Sequence, residues 1–588
     1  MRIHPRINIL IVVALLVGFI YFLPHLIFYS FSLNRGVYYP LNFSELAYAS
    51  QVKEITEGHL SVGDSQIFEY KNIFPPIYPY VPIFTLAAMA LSSGSIASAF
   101  VISDFVFPAL IFLMIYLFSK KITKNSEFST FNGLATVFLY SITTNIPPIT
   151  PYLISQFFKK LLITDITMPL QFSRTPNPQI SFIFLLIPLF TLYFYLLRPS
   201  VRKLIIITIF GALLFSTYFY HATFFYFTML IIFVISLFRK QWDQSKQLIL
   251  CLSVLTVIAL LYRHLSSQAP YSYSQIMAGY FNIKYPDWIF SLRYLSISII
   301  VYFLVRVKNA SLLIFATAVV LSSIVCMNFQ LFFGWTISPG HWPQTTIEPV
   351  ILIIFLIALH QYLVNKVSLG KLYVILSILI LAHALIFQLK FADKFINNVV
   401  ISNDKYAAIT WLKNHADKNS VVLSLDVEKF QSYITVLTNA NNFVPIYSYH
   451  YASLDEIWMR NLYAYKIYSL DMSNIKFESL KPAIYSFGEA FNINKYKHYS
   501  LNEYPQEYIA KMQNCFPSIC AGYYVIPKTI MSYYKSVYQN LNLRDMPYKL
   551  DFVVYGDYER RIGASPPKGD IVYTSGATSI YKMPSDLH

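Results

Sequence analysis

The sequence predicts a polytopic α-helical membrane protein of about eleven spans, followed by a C-terminal extracytoplasmic α/β domain. Three observations predict it. The 588 residues are 56% hydrophobic and 18% aromatic but only 13% charged, and mean hydropathy is positive, unlike an ordinary soluble domain of this length. Apolar runs of about 20 residues, the length a bilayer-spanning helix needs, recur through the first two thirds of the chain. From Asp404 onward hydropathy falls, and strand and turn signals replace the long apolar runs.

The runs are centred near Leu15, Met114, Val137, Leu185, Gly211, Leu230, Thr256, Ile300, Val319, Phe355 and Ile378. The first is too long for a secretory signal and has Pro24 and His25 where a small-residue cleavage site would fall, so it reads as a retained span. Lys and Arg mark cytoplasmic loops. They cluster at Arg2/Arg6, Lys120/Lys121/Lys124, Arg198/Arg202/Lys203, Arg239/Lys240/Lys246, Arg306/Lys308 and Lys366/Lys371, at every second connection. This alternation predicts a cytoplasmic N-terminus and, with an odd number of crossings, an outer location beyond Leu389. The formal charge of +16 is then an orientation signal, too dispersed to be a nucleic-acid footprint. Rich Ile, Lys, Asn, Tyr and Phe usage without a eukaryotic sorting signal fits a prokaryotic plasma membrane.

Residues 1–390 are expected to form the multi-span part and residues 391–588 the outer domain. Long outer segments fall at residues 33–97 and 145–178, and loops above about 15 residues are uncommon unless functional. In the outer domain "DKYAAITWLKNHA" reads as a helix, and "SVVLSLDV", "CAGYYVIP" and "DFVVYGDY" as strands. "DIVYTSGATSIYKM" reads as a hairpin turning at Ser575-Gly576. Cys251 and Cys326 fall in spans and read as packing residues, whereas Cys515 and Cys520 are expected to form a disulfide outside, free thiols being the alternative. No internal repeat or low-complexity tract is evident.

The first outer segment carries the chemistry candidates. In "SELAYASQVKEITEG" the apolar positions Leu46, Ala49, Val52 and Ile55 make one helix face, with Glu45 in the first turn and Ser44 as the expected N-cap. Glu45 therefore has two readings, a capping acid or a reactive carboxylate. Asp64, Glu69 and Lys71 follow in "GHLSVGDSQIFEYKNIFPPIYPYVP", whose Pro and aromatic content also fits an interfacial belt.

An acid directly after the first span, Tyr48 three residues on, a helix, and a further acid ahead of an aromatic loop resemble the first outer loop of the GT-C superfamily of integral-membrane glycosyltransferases. Many spans, long outer loops and a C-terminal outer domain extend the resemblance. It implies transfer of a sugar from a polyprenyl-phosphate donor to a glycan, lipid or protein acceptor on the outer face of the bilayer, with inversion at the anomeric carbon. Relatives of the protein mannosyltransferase and lipid A aminoarabinose transferase kind carry an Asp-Glu pair before the Tyr. Aligned on Tyr48, this chain has Ser44 in place of the Asp and Glu45 in second place. That departure leaves Glu45 or Asp64 as the expected catalytic base, or else a catalytically silent, lipid-binding member of the same architecture.

Such a transfer needs a general base for the acceptor hydroxyl, and positive charge for the departing phosphate. No cofactor is required if basic side chains supply that charge; a divalent metal is the alternative. The candidates are Arg174 in "FSRTPNPQISF", where Pro176 and Pro178 stiffen the chain, His341 beside Trp335 and Trp342, and Arg263 and His264 at the end of the seventh span; Asp165 lies upstream in the second long segment. Each also fits the bland role of an interfacial anchor. Glu348 reads as a polar group at the edge of a span, and Arg460, Glu559, Arg560 and Arg561 as a solvated face. A transporter or flippase is the reading from another class. Few charges within the spans and no paired halves with interrupted helices count against it.

Overall fold

The computed structural model describes residues 5–33, 36–60, 63–73, 79–139, 166, 169–267, 288–305, 310–333, 340–364, 369–446, 451–471, 501–503 and 528–584. Asp165, Trp335, Cys515, Cys520 and the expected strand "CAGYYVIP" lie outside these residues.

All eleven apolar centres fall on helix. In chain order the elements are α1 (Pro5–Ser32), β1 (Val37–Tyr38), α2 (Phe43–Thr56), α3 (Tyr80–Ser93), α4 (Ile96–Thr123), α5 (Ser126–Leu134, continued by a π-helical turn Ala135–Leu139), α6 (Gln179–Leu197), α7 (Val201–Phe215), α8 (Phe219–Phe238), α9 (Trp242–Ser267), α10 (Trp288–Val305), α11 (Ala310–Met327), α12 (Phe329–Phe333), α13 (Glu348–Leu363, preceded by a π-helical turn Trp342–Ile347) and α14 (Gly370–Val399). Eight helical segments among the described residues are long and apolar enough to cross a membrane. Of the other three expected spans, α7 has 15 residues, the apolar part of α10 is Ser291–Leu304, and α5 with its π turn reaches Leu139, where the described segment ends. Helices apolar on every side are stable only inside protein or lipid. Here one side packs into a common core built around Phe112, Phe118, Tyr193, Phe224 and Phe315, while residues such as Leu117, Ile209 and Leu260 face outward.

Short connections after α4, α6, α7 and α8 make successive helices antiparallel, so the same end of the bundle receives the C-terminal end of α1 and the N-terminal ends of α4, α6 and α8. One buried ion pair ties α10 to α13. Arg293 holds Glu348 with Nη1 2.7 Å from Oε1 and Nη2 2.7 Å from Oε2, and Tyr294 Oη adds a contact at 3.4 Å. The polar residue expected at the span edge is thus neutralised by a partner on the facing helix. Replacing Arg293 by Ala strands the carboxylate and is expected to cost about 3–5 kcal/mol. Unfolding of the purified protein in detergent checks this, and Arg293→Ala paired with Glu348→Leu is expected to recover most of the loss.

The C-terminal part builds a five-stranded mixed sheet from β3 (Val421–Leu423), β4 (Asn441–Asn442), β5 (Phe552–Tyr555), β6 (Asp570–Ser575) and β7 (Thr578–Lys582), in the order β4-β3-β5-β7-β6. β3 runs parallel to β4 and β5, while β7 is antiparallel to both β5 and β6. The expected hairpin is present, with Gly576 at φ 52° in its turn. The expected helix is α15 (Asn403–His415), and α16 (Ser432–Leu437), α17 (Leu454–Ile467), α18 (Lys528–Asn540) and α19 (Asp557–Arg561) follow among the described residues.

Several contacts join this sheet unit to the segment after α1. β2 (Val400–Ile401), at the end of α14, pairs antiparallel with β1, Val37 opposite Ile401 and Tyr38 opposite Val400. Gly36 adopts φ 145° at this clasp, and a Cβ there would meet Ile401 O at 2.3 Å, so the close approach requires glycine. Further along, Gln66 O accepts from Asn442 N–H at 2.7 Å and Gln66 Oε1 from Ile446 N–H at 2.8 Å. Lys53 Nζ donates to the carbonyls of Thr435 and Thr438.

Candidate active site

α2 starts two residues earlier than expected, at Phe43, so Asn42 and not Ser44 occupies the cap position. Asn42 Oδ1 accepts from Glu45 N–H at 3.2 Å, and Glu45 Oε2 accepts from Asn42 N–H at 2.9 Å, a reciprocal capping box. That satisfies one oxygen. The other, Oε1, accepts from Thr175 N–H at 3.2 Å, across 130 residues of sequence. Glu45 is therefore a capping acid and also a buried carboxyl, 6% exposed, facing a second segment.

Thr175 brings a second acid with it. Its hydroxyl lies 3.2 Å from Asp104 Oδ1, 2.9 Å from Gln179 Oε1 and 3.1 Å from Ser103 Oγ. Gln179 Nε2 donates to Asp104 Oδ1 at 2.5 Å and to Phe172 O at 2.9 Å. The other oxygen of Asp104 lies 2.7 Å from His25 Nε2, and His25 Nδ1 lies 2.5 Å from Tyr38 Oη. A chain of polar contacts thus runs from Tyr38 on β1 through α1, α4 and the turn before α6 to Glu45 on α2. His25 and Asp104 both sit within roughly two turns of their helix ends, at the end of the bundle where the first long segment leaves.

Arg174, half-buried ahead of Thr175, supplies positive charge. Burial first, and then the charge of Asp104, push the Glu45 carboxyl up to about 8. The N–H donors of Asn42 and Thr175 and the Arg174 guanidinium oppose the rise. The same guanidinium acts on His341, whose imidazole is pulled down to about 3 by burial and then by Arg174, so His341 stays neutral. His341 Nδ1 lies 2.6 Å from Tyr218 Oη, and its ring stacks on Tyr220 at 5.0 Å. His341 belongs to the cluster as a neutral hydrogen-bonding group, whereas Arg174 brings the charge.

The remaining expected residues lie elsewhere. Asp64 is fully buried, but Oδ1 accepts from the N–H groups of Gln66 at 2.8 Å and Ile67 at 3.0 Å, and Oδ2 from Tyr451 N–H at 2.8 Å. Burial raises its carboxyl to about 7 against those three donors. It is a tether between the first long segment and the sheet unit. Asp64→Asn turns one acceptor into a donor facing an N–H and is expected to lower stability by about 1–3 kcal/mol, which thermal unfolding of the purified protein checks.

Glu69 and Lys71 are engaged at the same junction, Glu69 with Arg460 at 2.9 Å and Lys71 with Glu54 at 3.4 Å. Arg460 is not on a solvated face. It is fully buried, donates to Phe443 O at 2.9 Å, and lies over the Tyr548 ring at 4.1 Å. Glu559 is buried too, accepting from Leu425 N–H at 2.9 Å and Gly556 N–H at 3.0 Å, while Arg560 and Arg561 are exposed. Arg263 and His264 are exposed at the end of α9. Cys251 and Cys326 are buried packing residues, as expected.

Of the expected residues, the structure brings together Glu45, Arg174 and His341. Asp104, His25, Tyr38, Thr175, Gln179 and Tyr218 are members that the sequence reading did not single out. Asp104 carried a usable signal, as the lone acid in the apolar run from Ile96 to Phe118. His25 carried another, since an ionisable side chain inside a span implies a partner. Among the described residues no three His, Cys, Asp or Glu side chains gather into a metal-ligating group.

No family model matches the chain, and no curated protein sequence does. Among solved structures it is similar to the archaeal oligosaccharyltransferase AglB from Archaeoglobus fulgidus in complex with an inhibitory peptide and a dolichol-phosphate, at 11% identity and a TM-score of 0.46 over 98% of this chain and 88% of that one. It is also similar to ArnT from Cupriavidus metallidurans bound to undecaprenyl phosphate, at 11% identity and a TM-score of 0.45 over 99% of this chain and 98% of that one. ArnT in the apo state gives the same values.

Proposed function

We propose that the protein is a multi-pass membrane glycosyltransferase that moves a sugar from a polyprenyl-phosphate-linked donor to an acceptor hydroxyl on the outer face of the membrane. The observation that carries this reading is the buried carboxyl of Glu45, set between Asp104 and Arg174 at the loop end of a helical bundle. A lone capping acid needs neither a second carboxylate nor a guanidinium beside it.

In this reading the acceptor hydroxyl gives its proton to the Glu45 carboxylate as its oxygen attacks the anomeric carbon. The bond from that carbon to the phosphate oxygen breaks, and its electron pair leaves with the phosphate. Attack opposite the leaving group inverts the anomeric configuration. Arg174 meets the charge growing on the phosphate, and Tyr218 and the neutral His341 offer polar contacts beside it. Asp104, held by His25, Gln179 and Thr175, raises the proton affinity of Glu45 into the range where a general base works at neutral pH. Asp64 takes no part in the proton transfer.

The distribution of basic connections supports a cytoplasmic N-terminus, with the segment holding Glu45 and the sheet unit of residues 391–588 on the outer side of a plasma membrane. The test is a mass profile of surface glycans and lipid-linked sugars from cells with and without the protein. A glycan lacking one sugar and an accumulating charged carrier in the deletion strain support the transferase. Identical profiles, with no second enzyme of the same activity in the strain, overturn it.

A further inference from the structure

In the turn from Arg174 to Gln179, Asn177 is 6% exposed, and among the described residues neither its Oδ1 nor its Nδ2 has a hydrogen-bond partner. Its surroundings in the chain are fully committed. Arg174 O accepts from Gln179 N–H at 3.4 Å and Pro176 O from Ile180 N–H at 2.8 Å, closing the turn onto the start of α6. Thr175 N–H is spent on Glu45, its hydroxyl touches Asp104, and Gln179 holds Asp104 as well. Pro176 and Pro178 have no N–H to offer. Two peptide steps separate Asn177 from Thr175, so their Cα atoms lie within about 7 Å.

A buried carboxamide with both ends empty carries a desolvation penalty for each unmade bond, which calls for a partner arriving from outside the fold. The chemistry of the carboxamide narrows that partner. A phosphate accepts hydrogen bonds only and would satisfy Nδ2 alone, whereas sugar hydroxyls both donate and accept and satisfy both ends. We propose that Asn177 recognises hydroxyl groups of the donor's sugar, next to the phosphate that Arg174 meets. This assignment rests on the transferase reading and makes Asn177 a specificity-determining residue, distinct from the base and from the phosphate contact.

The test uses the full-length protein in detergent, with undecaprenyl phosphate and its forms bearing one hexose, one N-acetylhexosamine or one pentose, read by native mass spectrometry alongside thermal unfolding. Wild type is expected to bind at least one sugar-bearing carrier more tightly than the plain carrier. Asn177→Ala and the similarly sized Asn177→Leu are expected to raise the melting temperature of the free protein, to bind the plain carrier as wild type does, and to bind the preferred sugar-bearing carrier about tenfold more weakly. A lower melting temperature, or failure of both variants to fold, means that Asn177 serves the fold and overturns the proposal. Equal weakening of plain and sugar-bearing carriers overturns it as well, since the contact is then with the phosphate. So does a wild type that binds the plain carrier but no sugar-bearing form more tightly, while leaving the transferase reading in place. Wild type that binds none of the carriers removes both.

Discussion

Replacing Glu45 by Gln is expected to lower sugar transfer by about 10²–10⁴-fold with the fold intact, the range lost when a positioned general base is removed. Gln keeps one acceptor oxygen and loses the other, so one of the two contacts to Asn42 N–H and Thr175 N–H fails, at a cost of about 1 kcal/mol. Stability thus changes little while the proton acceptor is gone. pH separates this from a steric effect. With the Glu45 carboxyl raised to about 8, transfer in wild type should climb as pH rises through that value and level off above it, because only the ionised form accepts a proton. The residual activity of Glu45→Gln should lack that limb. Linkage gives a second signature of the opposite sign. A carboxyl held above its unfolded value of 4.5 contributes stability fully below that pH and loses it as pH rises through about 8, so Glu45→Gln should flatten the fall of melting temperature across that window. Activity–pH profiles and melting curves of the two proteins check both statements.

Arg174→Ala is expected to cost about 10²–10³-fold in transfer, comparable to removing a donor from a preorganised anion site. Arg174 also lowers the Glu45 carboxyl, so its removal should shift the rising limb of the pH profile to higher pH. A residue that served only as an interfacial anchor would change expression or stability and leave the position of that limb alone. Arg174→Lys keeps the charge but not the planar fork, and is expected to restore the limb's position more fully than the rate.

The large-scale architecture was legible because it rests on one-dimensional quantities. Span length and hydropathy are read residue by residue, and the eleven apolar centres all fall on helix. The helix at Asn403–His415 and the hairpin at Gly576 were legible for the same reason, since local periodicity and turn chemistry decide them. The site was legible only in part. Glu45 and Asp64 look alike in sequence, two acids in the segment after the first apolar run, yet one faces Arg174 and Asp104 while the other is clamped by three backbone N–H groups. Which donors surround a carboxylate depends on segments hundreds of residues away, as the bond from Tyr451 to Asp64 shows. Asp104 went unremarked because an average over an apolar run hides a single acid. His25, Tyr38 and Thr175 gain meaning only from the contacts of Asp104 and Glu45. Arg460 and Glu559 were misjudged by the default that charge stays in water, a default that fails wherever an ion pair or several N–H donors replace the solvent.

The most direct measurement of the central claim is a comparison of surface glycans and lipid-linked sugars by mass in a strain lacking the protein, complemented with wild type, Glu45→Gln or Asp64→Asn, each confirmed as folded in the membrane. The glycan is expected to regain its missing sugar with wild type and with Asp64→Asn, and to stay incomplete with Glu45→Gln. A complete glycan with Glu45→Gln would show that the Glu45 carboxylate is not the base, and would leave the cluster around Asp104 without the role proposed for it.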